Sequence, residues 1–221
     1  LADRPLAGPD LGAAWEDDDI GALLTDLRRR SQRLPSEAAL IASAADDLAA
    51  GRVVGWVQGR FEWGPRALGH RSILADPTRA EMKDRVNATV KFREAFRPFA
   101  PSCLADAADR YFEIPDAARL LVPWMLGVVA VRDDAQALLP AVTHTDGTAR
   151  LQTVSPEDSP RYAALLEAFG QRTGHPVLLN TSFNLKGEPI VSSPVHALAT
   201  FDRSALDVLY LGCHRVERTD A

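Results

Sequence analysis

GRFEWGPRALGHRSILADPTRAEMKDRVNATVKFREAFRPFAPSCL, residues 59–104, is the stretch around which the rest of the chain is arranged. Between positions 60 and 97 it holds nine Lys/Arg (Arg60, Arg66, Arg71, Arg79, Lys83, Arg85, Lys91, Arg93, Arg97) against five acids (Glu62, Asp76, Glu81, Asp84, Glu94). The local charge is +4 in a chain of net −5, so the remainder carries −9. An acidic chain that gathers its positive charge in one segment creates a local field suited to an anion.

The spacing says more than the count. Gly59, Gly64 and Gly69 let backbone approach a ligand closely, and Pro65 stiffens the turn that holds Arg66. Asp76-Pro77 reads as an N-cap with proline at the first helical position, opening a helix over 78–90. That helix places Arg79, Lys83 and Asn87 on one face and Met82, Val86 and Val90 on another, with Glu81 and Arg85 as an i,i+4 pair. Arginine offers phosphate or carboxylate a two-pronged fork, and lysine a point charge. A plain solvated helix face accounts for Arg79 and Arg85. It does not account for Gly-Pro-Arg-Ala-Leu-Gly.

Outward from this segment, helices and short strands alternate. Helices are expected over 18–32, 36–50 (N-cap Ser36, stop Gly51), 159–174 and 193–201, and strands over 53–58, 125–132, 176–180 and 206–211. Asp146-Gly147 between 141–144 and 148–154 reads as a hairpin. The alternation argues a layered α/β domain, and the hairpin makes its sheet mixed rather than purely parallel. At 221 residues with 46% hydrophobic content there is enough apolar material for one sizeable core. No apolar run reaches the roughly 18 residues that span a bilayer, so no membrane partner is expected. Cys103 and Cys213 lack metal-ligand spacing and read as thiols of a reducing, cytoplasmic compartment. The chain opens on Leu1 rather than Met, as a fragment or a processed product would. Residues 1–35 read as a linker and helical arm with Leu11, Trp15, Ile20 and Leu24 exposed for docking, and 36–221 as the domain proper.

Two further clusters carry chemistry. Asn180, Thr181, Ser182 and Asn184 set amides and hydroxyls at the carboxyl end of an apolar strand, where open α/β sheets bind ligands, although the same residues also serve as plain turn formers. The hairpin carries His144, Asp146 and Arg150; a lone hairpin histidine is more often structural, and Arg150 can reach an anion or pair with an acid. There is no GxxxxGK[ST] loop, no strand-linked GxGxxG, no GxSxG and no HExxH, and the five histidines show no metal-ligand pairing.

GRFEWGPRALGHRSILADP with VKFREAFRPFAPS, THTDGTARLQTVS and TGHPVLLNTSFNLKGEPIVSSP together resemble the C-terminal domain of the NodU/CmcH/TobZ carbamoyltransferases over about residues 48–212. That domain is YrdC-like, which implies a twisted mixed β-sheet flanked by helices. TSFNLKGEP is similar to the S-x-N-x-x-G-E-P loop of threonylcarbamoyl-adenylate synthases. The resemblance implies that carbamoyl phosphate and ATP, with Mg2+, give carbamoyl-adenylate in the cytoplasm. By motif position it places Lys91, Arg97 and Arg66 at the reacting anions, and Arg150, Asn180, Ser182, Asn184, Arg71 and Arg93 at the nucleotide; it assigns no metal ligand. Trp63, His70, Ala95 and Thr145 depart from the family pattern, and none of these changes removes a charged group.

The resemblance also implies a partner: an N-terminal actin-like, metal-binding domain, in cis or in trans, that moves the carbamoyl group to a hydroxyl of a small acceptor of the secondary-metabolite kind. Forming an acyl-adenylate brings two anions together, and fixed guanidinium groups offset that repulsion without any protein nucleophile. Two alternatives are threonylcarbamoyl-adenylate synthesis for tRNA modification and a non-catalytic anion- or RNA-binding module. The acidic total argues against bulk nucleic-acid affinity.

Overall fold

In chain order the computed structural model, which describes residues 10–91 and 98–218, contains α1 (Asp17–Asp26), β1 (Ser31–Arg33), α2 (Glu37–Ala49), β2 (Val54–Val57), β3 (Arg71–Ala75), α3 (Met82–Val86), β4 (Ala100–Leu104), β5 (Phe112–Glu113), β6 (Val129–Val131), α4 (Asp133–Gln136), β7 (Thr148–Ala149), β8 (Gln152–Val154), α5 (Pro160–Thr173), β9 (Val177–Ser182), α6 (Pro194–Asp202), β10 (Val208–Leu211) and β11 (His214–Glu217). Eight strands form one sheet in the order β1-β11-β10-β2-β3-β9-β4-β8, and β5-β6-β7 form a smaller one. Pairs β10/β2 and β4/β8 are parallel and the rest of the large sheet is antiparallel, so the sheet is mixed as expected.

Successive side chains of a strand point to opposite faces, and both faces here are covered. On one face Trp56, Leu74, Leu178 and Tyr210 pack against Leu40, Ala44 and Leu48 of α2 and Leu165, Leu166 and Phe169 of α5. On the other, Val57, Ile73, Leu179 and Leu209 meet Met82 and Val86 of α3, Leu198 and Phe201 of α6, and Phe112 and Val131 of the small sheet. Double coverage is why VVGWV and VLYL read as unbroken apolar runs. Sequence signals mark the helix ends well: the Ser36 side chain accepts from Ala39 N, Ser193 accepts from His196 N, and Gly51 and Gly174 stop their helices at positive φ. Among the described residues no helix is long and apolar enough to cross a membrane.

Six expectations change. The helix expected over 18–32 ends at Asp26, Arg28 turns left-handed (φ 50°), and the chain continues as β1 paired to β11. With Ile20 and Leu24 buried in the core, this part of the arm is packed on the domain rather than exposed for docking; Leu11 alone of the four stays exposed. The helix over 78–90 starts only at Met82. Asp76 is buried and accepts from Thr78 N (2.9 Å), Thr78 Oγ1 (2.7 Å) and Arg79 Nε (3.1 Å), which holds 76–79 as a turn. Met82, Val86 and Val90 are nonetheless buried together, because the helix continues into a π-helical turn, Asn87–Lys91.

Arg85 reaches Asp207 and Gly51 O instead of Glu81. The expected strand over 125–132 shortens to β6, since Met125 is left-handed (φ 54°). The turn at Asp146-Gly147 forms, with His144 N bonded to Thr148 O (2.8 Å), but no two-stranded ladder follows. β7 pairs with β6, and β8 joins the large sheet beside β4.

Gly170 lets α5 rest on the residue that leads into β9: a Cβ there would lie 2.8 Å from Pro176 Cβ and 3.1 Å from its Cα. Alanine gains about 1 kcal/mol of helix propensity, while overpacking costs about 1–3 kcal/mol. Gly170→Ala is therefore expected to lower the unfolding free energy in urea, against the propensity scale; a stabilised variant would mean that Pro176 yields freely.

Candidate functional site

Strand register gathers four segments at one end of the large sheet. Arg71 at the start of β3 faces Val57 at the end of β2, and Ser72 faces Ser182 at the end of β9. Ala100 at the start of β4 faces Asn180, and Gln152 at the start of β8 faces Ser102. This end therefore receives the 58–70 loop with Arg66, the approach to β4, Arg150 just before β8, and Ser182 to Asn184 leaving β9. Lys91 closes the π-helical turn. Its side chain lies outside the described residues, as do Arg93 and Arg97.

The 58–70 loop is built around a buried carboxylate. Glu62, 0% exposed, accepts from Leu68 N (2.5 Å) and His70 N (2.9 Å) at Oε1 and from Arg71 N (3.0 Å) at Oε2. Burial pushes its carboxyl above the usual range, while the charge of His70 and these N–H donors pull it back. Arg71 is 1% exposed and donates to the carbonyls of Gln58 (2.6 Å), His70 (3.1 Å) and Gly59 (3.0 Å). Burial brings Arg71 down to about 10 with Glu62 opposing, so it remains a cation at neutral pH. Gly69 has φ +111°, and a Cβ there would sit 2.3 Å from the Tyr162 ring.

A second buried network ties this loop to the sheet. Asn180, 1% exposed, donates through Nδ2 to Ala67 O, Ser102 Oγ and Gln152 Oε1, each at 3.0 Å. Ser102 Oγ donates to Gln152 Oε1 (2.6 Å), and Gln152 Nε2 reaches Leu68 O (2.8 Å). Three strands thus hold two carbonyls of the Ala67-Leu68 turn, directly after Arg66.

Arg71 and Asn180 both donate within the fold. A buried guanidinium or amide must find acceptors, and Arg71 finds them in the loop and Asn180 in the loop and sheet, while Arg71 Nε and Asn180 Oδ1 have no hydrogen-bond partner among the described residues. Arg66 is half-buried, and its Nε has no hydrogen-bond partner among the described residues. Ser182 Oγ donates to Asn184 Oδ1 (2.6 Å), and Asn184 Nδ2 donates to Glu188 O (2.7 Å), which folds the turn after β9 on itself.

Three residues just before Arg150 are linked by hydrogen bonds. Asp146 Oδ1 accepts from Thr148 N (3.1 Å) and Thr148 Oγ1 (2.7 Å), and Thr148 Oγ1 lies 2.9 Å from His144 Nδ1. Burial lowers His144, Asp146 raises it, and the positive charges of Arg150 and Lys83 lower it further. Lys83 of α3 and Arg150 thus stand close enough to His144 to act on its charge. The H-x-D-x-T spacing was the available signal. Among the described residues no group of three His, Cys, Asp or Glu side chains could hold a metal.

The Carbamoyltransferase C-terminus family matches residues 45–218. The nodulation protein NolO of Bradyrhizobium diazoefficiens is 55% identical over 182 residues, 82% of this chain and 33% of the relative. A 3'-hydroxymethylcephem-O-carbamoyltransferase of Streptomyces clavuligerus is 44% identical over 165 residues, 74% of this chain and 29% of the relative. The chain thus spans about a third of the length of the curated relatives it matches. In fold it is similar to E. coli YciO, with a TM-score of 0.56 at 19% identity over 80% of this chain and 79% of that one.

If Glu62 organises the loop, Glu62→Ala strands three backbone donors in a dry site, at about 1–3 kcal/mol for each group that water cannot reach. A loss of at least about 2 kcal/mol in denaturant unfolding is expected, together with faster amide exchange at Leu68, His70 and Arg71. Unchanged exchange at those three amides would show that the loop holds its shape without the carboxylate.

Proposed function

The chain belongs to the Carbamoyltransferase C-terminus family, and from that membership we propose that it activates the carbamoyl group, converting carbamoyl phosphate and ATP into carbamoyl-adenylate. The observation that carries this reading is the convergence, at one end of the sheet, of the Arg66 loop, the approach to β4, Arg150 and the turn after β9. Carbamoyl phosphate and water give carbamate and orthophosphate. A carbamate oxygen then attacks the α-phosphorus of ATP, and pyrophosphate leaves with the electrons of the broken P–O bond.

Every participant is an anion, so the protein's task is to fix positive charge where negative charges must meet. In this reading Lys91, Arg97 and Arg66 hold the reacting phosphate and carbamate oxygens. Arg150, Arg93, Ser182 and Asn184 hold the nucleotide. Arg71 and Asn180 act one step removed, by fixing the loop that carries Arg66. Among the described residues no three His, Cys, Asp or Glu side chains gather to hold a metal, and in this reading magnesium enters as the magnesium salt of ATP. The adenylate then passes to a second, actin-like metal-binding domain, in cis or in trans, for transfer to a hydroxyl of a small acceptor. The cephem relative is named for such a transfer.

Two outcomes are expected of the 221-residue chain alone. With ATP and carbamoyl phosphate it forms AMP and pyrophosphate slowly, because the adenylate hydrolyses in water, and it carbamoylates no acceptor. Lys91→Ala and Arg97→Ala each lose a charge-assisted contact worth about 1.5–3 kcal/mol, so turnover falls about 10- to 150-fold while thermal unfolding is unchanged. Product analysis by mass spectrometry is the check. Turnover with threonine and bicarbonate instead of carbamoyl phosphate would replace this reading with threonylcarbamoyl-adenylate synthesis. Salt-dependent RNA binding without turnover would replace it with a binding module.

A further inference from the structure

His144 ends in an acceptor that nothing in the described protein uses. Asp146 accepts from Thr148 Oγ1 at 2.7 Å, and hydrogen bonds from Thr148 hold its carboxyl below the usual range, so it is an acceptor only at neutral pH. The hydroxyl of Thr148 has one proton, and it is directed at Asp146. The 2.9 Å contact between Thr148 Oγ1 and His144 Nδ1 therefore takes its proton from the imidazole. That fixes the tautomer: Nδ1 carries the hydrogen and Nε2 keeps a bare lone pair. Nε2 is shielded from solvent and has no partner among the described residues.

The backbone around this lone pair is held on both sides. His144 N donates to Thr148 O (2.8 Å) and Gly147 N to His144 O (3.0 Å), while Ala141 N donates to Pro77 O (3.2 Å), fixing the turn against the segment before α3. The two positive charges that act on the ring, Arg150 and Lys83, come from opposite sides in sequence. A shielded acceptor within the field of two cations calls for a ligand with negative oxygens and an N–H or O–H donor joined within a few bonds. The carbamoyl group has that arrangement, with its nitrogen on the same carbon as its oxygens. The adenine amino group is a donor too, but it lies far from the phosphates and needs no cation beside it.

We propose that His144 Nε2 accepts a hydrogen bond from the carbamoyl nitrogen, and so separates carbamoyl phosphate from acyl phosphates of similar charge that lack the N–H. This rests on the reading of the site as a carbamoyl-activating one. Acetyl phosphate is the matched probe, with methyl in place of amino. A site built around a hydrogen bond discriminates against an analogue that cannot make it, because the buried partner is then left unpaired.

Two measurements on the whole chain test the proposal. In 15N-histidine NMR spectra, carbamoyl phosphate is expected to shift the Nε2 resonance of His144 in the hydrogen-bonded direction, and acetyl phosphate to leave it in place; this readout needs no turnover. In pyrophosphate-release assays, His144→Ala is expected to reduce the preference in kcat/KM for carbamoyl over acetyl phosphate about 10- to 100-fold. The KM for ATP should stay within about twofold of wild type, and His144→Gln, which can offer an amide oxygen near the Nε2 position, should recover part of the preference. Equal loss with both phosphates, a rise confined to the KM for ATP, or no Nε2 shift with carbamoyl phosphate each overturns it. A wild-type Nε2 shift without any AMP formation would leave His144's role standing and sink the adenylation reading instead.

Discussion

The site depends first on one buried carboxylate. The thirteen-residue excursion between β2 and β3 has few ways to satisfy its backbone donors away from water, and Glu62 satisfies two of them and the first N–H of β3 from inside the loop. Arg71 works the other way, as a buried cation whose donors take up three carbonyls at the loop's two feet. Between them these side chains convert a glycine-rich segment into a rigid one. Gln152 and Asn180 then grip its Ala67-Leu68 turn from the sheet side. Arg66 follows Pro65 and precedes that turn, so its backbone is located by contacts its own side chain does not make.

This division explains which arginines the sequence could sort. Counting cations between 60 and 97 identifies the right segment, yet several of those charges are spent on architecture. Arg79 is paired with Asp76, Arg85 with Asp207, and Arg60 reaches Leu11 O. Sequence shows that charge is dense but not where each side chain finds its acceptor, because Asp207 is 122 residues from Arg85. Arg71 and Asn180 show the same limit. Their residue types suit a ligand, and only the strand register shows that they face carbonyls and amides within the fold.

Local signals were read well where the physics is local. Ser36, Ser193, Gly51 and Gly174 mark helix ends through bonds and dihedrals spanning a few residues. The double-faced apolar strands β2, β9 and β10 were visible for the same reason. β3, whose burial is complete but whose sequence RSILA begins with a charge, was hidden, as were β4 with Pro101 inside it and β11. The apparent hairpin failed because Asp-Gly specifies a turn and not the partners of the flanking strands. β7 and β8 are two residues apart, yet they serve different sheets.

That split between β7 and β8 bears on the chemistry. The short link between them carries Arg150, and its two ends are fixed by independent sheets: Ala149 by its pairing to Val129, Gln152 by its pairing to Ser102. A link so short between two fixed strands has little freedom to reposition its side chain's origin. The Asp146–Thr148–His144 relay begins one residue upstream on the same support. Preorganisation of this kind matters most where like charges must be brought together, since a cation that had to move into place would spend part of the attraction on its own ordering. The irregular topology at this end of the sheet, which defeats a simple reading by periodicity, is the feature that holds polar groups from distant parts of the chain in a common frame.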